Sequence, residues 1–175
     1  ALGAKPERPD APAVTAAGRQ ITVDTPILSH LDMVRIREQR ETAVRRFELL
    51  FTPDPSPTVL QAAIDKLAAD IVAFAREQGG IAVITDRHVS RSRAAIPVIL
   101  AVSAINQALI DAGMRLRVSV IAESGQISSS HHVAATLGFG ASAVYPLAVQ
   151  LRAEEKFGEQ GADAEFVKFR KAAEK

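Results

Sequence analysis

From Leu60 to Ala75 the apolar positions recur at helical spacing: Leu60, Ile64, Leu67, Ala68, Ile71, Phe74 and Ala75 fall on one stripe. Ser56 stands where it can cap such a helix, Pro57 suits its first turn, and Gly79-Gly80 ends it. At Ile81 the period is lost. Ile81-Ala82-Val83-Ile84 is a continuous apolar run too short for a helix, which reads as a fully buried strand stopping at Thr85-Asp86-Arg87. Residues 95–111 are apolar on most sides and predict a core helix, with Pro97 in its first turn and Gly113 as its C-cap. A second buried strand over 118–122 ends at Glu123-Ser124-Gly125, and a helix follows over about 129–137. A shorter strand is expected over 141–145. Helical sequence restarts at Pro146, and residues 162–175 supply a last amphipathic helix.

The amino-terminal part is less regular. Residues 1–25 carry Pro6, Pro9 and Pro12 and little periodic apolar content, which describes an extended arm or linker, with the domain proper over 26–175. Leu31, Val34, Ile36, Val44 and Phe47 lie among charges and predict a helix over 31–48, broken by Pro53-Asp54-Pro55-Ser56-Pro57. Alternation of helices with short apolar strands implies an α/β fold of parallel βα units with right-handed crossovers. Three strands do not close a barrel, so the expected architecture is an open or rudimentary barrel-like sheet with covering helices, whose edges need neighbours. The first residue, Ala1, and the helical pattern running into Lys175 read as the cut ends of a segment from a larger enzyme.

Composition removes several function classes. Lys+Arg 21 against Asp+Glu 20 gives no large field of one sign to attract nucleic acid or an anionic membrane. Arg35, Arg37, Arg40, Arg45 and Arg46 cluster, but Glu38, Glu41 and Glu48 are interleaved with them, the pattern of a solvated or interfacial helix face. The sequence has no cysteine, hence no disulfide, thiolate cluster ligand or cysteine nucleophile, and this suits a cytoplasmic protein. The longest nearly apolar run, 94–105, is shorter than the roughly 20 residues that span a bilayer.

Ligands of parallel βα folds gather at the carboxyl ends of strands, where Asp86 and Glu123 stand. Two carboxylates there could serve acid–base chemistry or, with His88, His131 and His132, bind a metal. The bland alternative pairs Asp86 with Arg87, Arg91 or Arg93 and has Glu123 cap the next helix. Gly138-Phe139-Gly140-Ala141 offers backbone amides to a phosphate, or simply a tight turn between helix and strand, the role expected of Gly138 and Gly140. Ser128, Ser129 and Ser130 read as N-cap material.

Taken together, these motifs resemble a known family. Ile84-Thr85-Asp86-Arg87, Ile96-Pro97-Val98-Ile99-Leu100-Ala101 and Ala104 are similar to the "LSDR…PIPALLA…A" signature of glutamate synthase large subunits. The likeness continues through Leu109-Ile110, Gly113, Arg115, Glu123-Ser124-Gly125, His131-His132, Ala134, Leu137-Gly138-Phe139-Gly140-Ala141, Ala143-Val144 and Pro146. Upstream, Thr25-Pro26-Ile27-Leu28 resembles the family's "sPiL". Phe139 replaces the usual tyrosine, Ile105-Asn106-Gln107 stands where the family tends to carry histidines, and Ser128-Ser129-Ser130 replaces an acidic–basic stretch.

The resemblance implies a central domain between a cysteine amidotransferase and an FMN-binding barrel with an iron–sulfur cluster, in an enzyme making two glutamates from glutamine and 2-oxoglutarate. It implies a scaffold that helps form the ammonia passage, with no cofactor and no catalytic group of its own. Its partners would be those adjacent domains and a small reductase subunit, with the electron donor left open between NADPH, NADH and ferredoxin. Asp86, Arg87, Glu123, Ser124, His131 and His132 are then expected at interdomain contacts or along the passage. The competing expectations are a stand-alone metal-dependent enzyme built on Asp86, Glu123, His131 and His132, and an interaction module of a glutamate synthase-like protein.

Overall fold

The computed structural model describes residues 1–4 and 20–174, so most of the Pro-rich arm expected over 1–25 lies outside the described residues. Along the chain come α1 (His30–Glu38), β1 (Val44–Glu48), β2 (Leu50–Phe51), α2 (Val59–Glu77), β3 (Gly80–Thr85) and β4 (Ala94–Ala95). They are followed by α3 (Val98–Asp111), a single 3-10 turn at Arg115–Arg117, β5 (Val118–Ser124), α4 (Ser130–Gly138), β6 (Ala143–Pro146) and α5 (Leu147–Ala173). Four strands form one parallel sheet in the order β1-β3-β5-β6. Sequence order is sheet order, with α2, α3 and α4 as the successive crossovers, which is the winding of an open βα barrel segment. At the β6 edge Pro26–Leu28 adds a parallel bridge: Leu28 N–H donates to the Val144 carbonyl and Val144 N–H to that of Pro26, both at 2.8 Å.

Strand side chains alternate between faces, and each face has its own core. Ala82, Ile84, Val120, Ala122 and Val144 pack with Phe74 of α2, Ile105 and Leu109 of α3 and Phe166 of α5. Ile81, Val83, Ile121, Ala143 and Tyr145 pack on the opposite face with Met33 and Ile36 of α1 and with Leu2 and Leu28. The central strands β3 and β5 are buried along their whole length, which is why they read as unbroken apolar runs.

The expected helix over 31–48 is corrected. A capping box of Ser29 and Asp32 starts α1, but it ends at Glu38, where the Gln39 side chain folds back on the chain. Its Nε2 donates to the Ile36 and Thr42 carbonyls, while its Oε1 accepts from the Glu41 and Thr42 amides at 2.7 and 2.9 Å. The chain then enters β1 and pairs with β3, from Val44 beside Ile81 to Glu48 beside Thr85. Arg45 lies over the Phe74 ring on the helix side, so the pattern that resembled a helix is an edge strand with arginines on both faces. The expected three parallel strands therefore become four among the described residues, beside a short antiparallel pair of β2 and β4.

Smaller differences have local causes. Ala94 and Ala95 pair with β2, so α3 begins at Val98 and not at 95. α2 starts at Val59 with Thr58 at its cap position, two residues later than Ser56 and Pro57 suggested. Helical sequence restarts at Leu147, next to the expected Pro146, and reaches Ala173 as two stretches on either side of non-helical dihedrals at Gly158 (φ 70°, ψ 170°), the second containing the expected last helix. Gly80 (φ 120°) is required where α2 gives way to β3: a Cβ there would stand 2.3 Å from the Ala43 carbonyl oxygen.

Candidate functional site

The carboxyl ends of β3 and β5 carry Asp86 and Glu123, and the strand register decides what each can reach. Thr85 is the register partner of Glu123, so Asp86 lies level with Ser124 and the two carboxylates point to opposite faces of the sheet. Glu123 follows Ile121 onto the α1 face and is fully buried. Arg87 Nε donates to its Oε1 at 2.7 Å; Arg46 of β1 stands 3.7 Å from the same oxygen, and Arg37 of α1 stands 4.0 Å from Oε2. Among the described residues Oε2 itself has no hydrogen-bond partner. Burial alone would lower the Arg87 pKa, but the hydrogen bond and charge of Glu123, helped by Tyr145, hold it above the ordinary arginine value. Buried Tyr145 is pushed up to about 12, chiefly by desolvation; Arg87 opposes the shift, and Glu154 and Glu123 add to it.

Asp86 lies among neutral donors. It accepts from the Ser124 hydroxyl at 2.6 Å, the Gly125 amide at 2.9 Å and Gln126 Nε2 at 3.2 Å. Gln126 in turn donates to the Ile96 carbonyl and accepts from the Val98 amide, capping α3 where no side chain of that helix does so. Asp86 thus ties the β5–α4 loop to the start of α3. The pairing of Asp86 with Arg87, Arg91 or Arg93 gives way to these donors, because Arg87 points to the other carboxylate and Arg93 ion-pairs with Glu48 at 2.6 Å. Glu123 does not cap α4; Ser129 does, accepting from the His132 amide at 3.3 Å.

His131 is exposed on α4, and His132 Nδ1 is 3.4 Å from both the amide and the hydroxyl of Ser128. His88 Nδ1 is 2.8 Å from Glu48. The structure brings neither member of the histidine pair to the two carboxylates as a ligand set: among the described residues no group of three or more His, Cys, Asp or Glu is placed to hold a metal ion. Gly138 is the last residue of α4, with open space where a Cβ would go. Gly140 (φ 119°) lies against Asn106, whose Cγ would be 2.5 Å from an added Cβ.

A protein-family model of the glutamate synthase central domain matches residues 1–175. The chain belongs to that family. Curated relatives include a ferredoxin-dependent glutamate synthase of Cyanidium caldarium, 37% identical over 72% of this chain, and the glutamate synthase [NADPH] large chain of Bacillus subtilis, 29% identical over 73%. The chain spans about 8% of the length of each of these relatives. Two variants of flavocytochrome b2, one solved with sulfite and one with benzoylformate, superpose with a TM-score of 0.52 over 84% of this chain and 34% and 33% of theirs. At 15% and 17% identity they share the fold alone, in agreement with the winding of the sheet.

Within this central-domain chain, the site residues that the sequence reading missed are Arg37, Arg46, Tyr145 and Gln126. The even spacing of Val44, Arg46 and Glu48 is the signal that could have placed Arg46 on the Glu123 face, once β1 is read as a strand. Asn106 accepts from Arg115 Nε at 2.6 Å, while Arg115 also donates to the Val118 and Gly140 carbonyls. This fixes the turn before β6 and leaves the Arg115 pKa lowered by burial. No helix among the described residues is long and apolar enough to cross a membrane.

Proposed function

We propose that this chain is the scaffold of a glutamate synthase: it holds an amidotransferase domain and an FMN-binding, iron–sulfur domain in register and walls part of the ammonia passage between them. In this reading the whole enzyme is cytoplasmic and makes two glutamates from glutamine and 2-oxoglutarate. A small reductase subunit and the choice of electron donor belong to the other parts, and nucleic acid has no role. The observation that supports the reading is that the two strand-end carboxylates already accept hydrogen bonds from within the chain: Asp86 from Ser124, Gly125 and Gln126, and Glu123 from Arg87. Carboxylates held in this way fix the surface around them and are not set up as free acid–base groups.

The residues present do not fit the cofactors as their holders. The sequence has no thiolate for a cluster. In the glycine-bearing turn the amides that a flavin phosphate would need are spent internally: Phe139 N–H donates to the Ala135 carbonyl, Gly140 N–H to Leu137 and Ala141 N–H to Thr136. The test is gel filtration of the purified chain with FMN, beside an assay for glutamate formation from glutamine and 2-oxoglutarate. The expected outcome is no co-eluting flavin and no product. Stoichiometric FMN, or glutamate made unaided, overturns the reading.

A further inference from the structure

Among the described residues, the rim around Glu123 carries more positive than negative charge. Four guanidinium groups, Arg37, Arg46, Arg87 and Arg93, meet two carboxylates, Glu123 and Glu48. Glu48 is taken by Arg93 and His88, and Arg87 by Glu123. Arg37 and Arg46 are left close to Glu123 but outside hydrogen-bonding distance of it, at 4.0 and 3.7 Å. Glu154, within electrostatic reach of Tyr145, is engaged by Gln150 Nε2 at 3.0 Å.

Glu123 is fully buried, whereas the side chains of Arg37, Arg46 and Arg87 are 37%, 40% and 31% exposed. Water solvates their outer donors in the chain as it stands. This rim lies at the open carboxyl end of the sheet, and the relatives are about twelve times longer than the matched segment, since it covers 8% of each. A neighbour that covers the rim strips water from two guanidiniums, which is unfavourable unless it brings an anion. Arginine forks suit a carboxylate in geometry as well as charge.

We propose that Arg37 and Arg46, positioned by Glu123 and Arg87, form a receptor for the carboxylate of an Asp or Glu side chain presented by an adjoining domain of the longer protein. The proposal rests on the scaffold reading. The test uses the longer protein carrying this segment, with Arg46→Lys or, independently, Arg37→Lys, so that a zero-length carbodiimide can couple the amine to any carboxylate it touches. Peptide mapping is expected to find position 46 or 37 joined to an Asp or Glu outside residues 1–175, together with some coupling to Glu123. Capture of Glu123 alone, while Lys66, Lys156 or Lys168 still link to the rest of the protein, overturns the proposal and leaves the scaffold reading standing. No link from any lysine of this segment to the rest removes both. With succinate added, a succinyl adduct at position 46 in excess of that at Lys66, without external capture, assigns the fork to free dicarboxylates and overturns the side-chain partner.

Discussion

The two strand-end carboxylates lie one register step apart, are both buried, and are stabilised in opposite ways. Asp86, on the α3 side, receives three hydrogen bonds from uncharged donors of three consecutive residues, from Ser124 at the end of β5 to Gln126. Among the described residues Glu123, on the α1 side, receives one hydrogen bond from a cation, stands near two more cations, and keeps one oxygen without a hydrogen-bond partner. The first arrangement is complete within the chain and gives the loop a fixed shape. The second carries more cations than carboxylate among the described residues, which is the imbalance that the proposed neighbour would answer. Both are buried carboxylates, so the difference between a clamp and a junction lies chiefly in the donors around them.

The largest effect should follow from removing the one donor that Glu123 has. Arg87→Met leaves a fully buried carboxylate without its hydrogen bond, and breaking a buried pair from one side costs roughly 3–5 kcal/mol. Urea unfolding of the chain would measure it. Glu123→Gln should cost less, because the three arginines it releases are already partly in water and can turn outward. Equal losses for the two variants would mean that Arg46 and Arg37 substitute for Arg87, and the asymmetry between the two carboxylates would shrink.

Tyr145 sharpens the same junction by pH. It is the one tyrosine of the sequence, so absorbance at 295 nm reports it without interference. Its folded pKa is raised to about 12 against an ordinary value near 10. Below pH 10 both states keep the proton; above it the unfolded chain loses the proton first, so stability falls as pH rises from about 10 to about 12. Two units correspond to a loss of at most about 3 kcal/mol across that window. Tyr145→Phe should flatten this part of the curve, and the phenol should titrate near 10 in urea.

On the neutral side, Asp86→Asn replaces one acceptor oxygen by a donor that faces the Ser124 hydroxyl and Gln126 Nε2. The expected cost is about 2 kcal/mol, the range of a hydrogen bond to a charged group. The diagnostic lies in its location: amide exchange should quicken at Gly125 and, through Gln126, at Val98, while Glu123 and its arginines are unaffected. Faster exchange confined to α1 would break the separation of the two regions.

How much of this was legible in the sequence follows from the same physics. α2, β3 and β5 were readable because a helical stripe and an unbroken apolar run are local signals of burial. Asp86 and Glu123 could be placed at strand ends for that reason. β1 was not readable: its strand character depends on the Gln39 turn and on pairing with β3, some forty residues downstream, and neither leaves a periodic trace in Val44-Arg45-Arg46-Phe47-Glu48. With β1 misread as helix, Arg46 could not be placed beside Glu123. Arg37 needed, in addition, the packing of α1 over the sheet through Met33 and Ile36. The neutral clamp depended on Gln126, a loop residue whose role exists only once α3 and β5 are side by side.

The smallest effect belongs to Glu48, at the outer edge of the same rim. Its pKa is lowered mainly by the hydrogen bond from His88, with burial opposing and Arg93 adding. A depressed carboxylate contributes stability above its unfolded pKa and loses it as pH falls through the folded value, so the effect lies in the acid range, below about pH 4.5. Its side chain is 40% exposed, however, and such pairs contribute little after solvent screening, about 0.5 kcal/mol. Glu48→Gln should therefore shift the urea midpoint barely at pH 7 and not at all in high salt. A loss comparable to that of Arg87→Met would mean that Glu48 carries the charge balance of the rim, and the surplus assigned to Arg37 and Arg46 would have to be redistributed along β1.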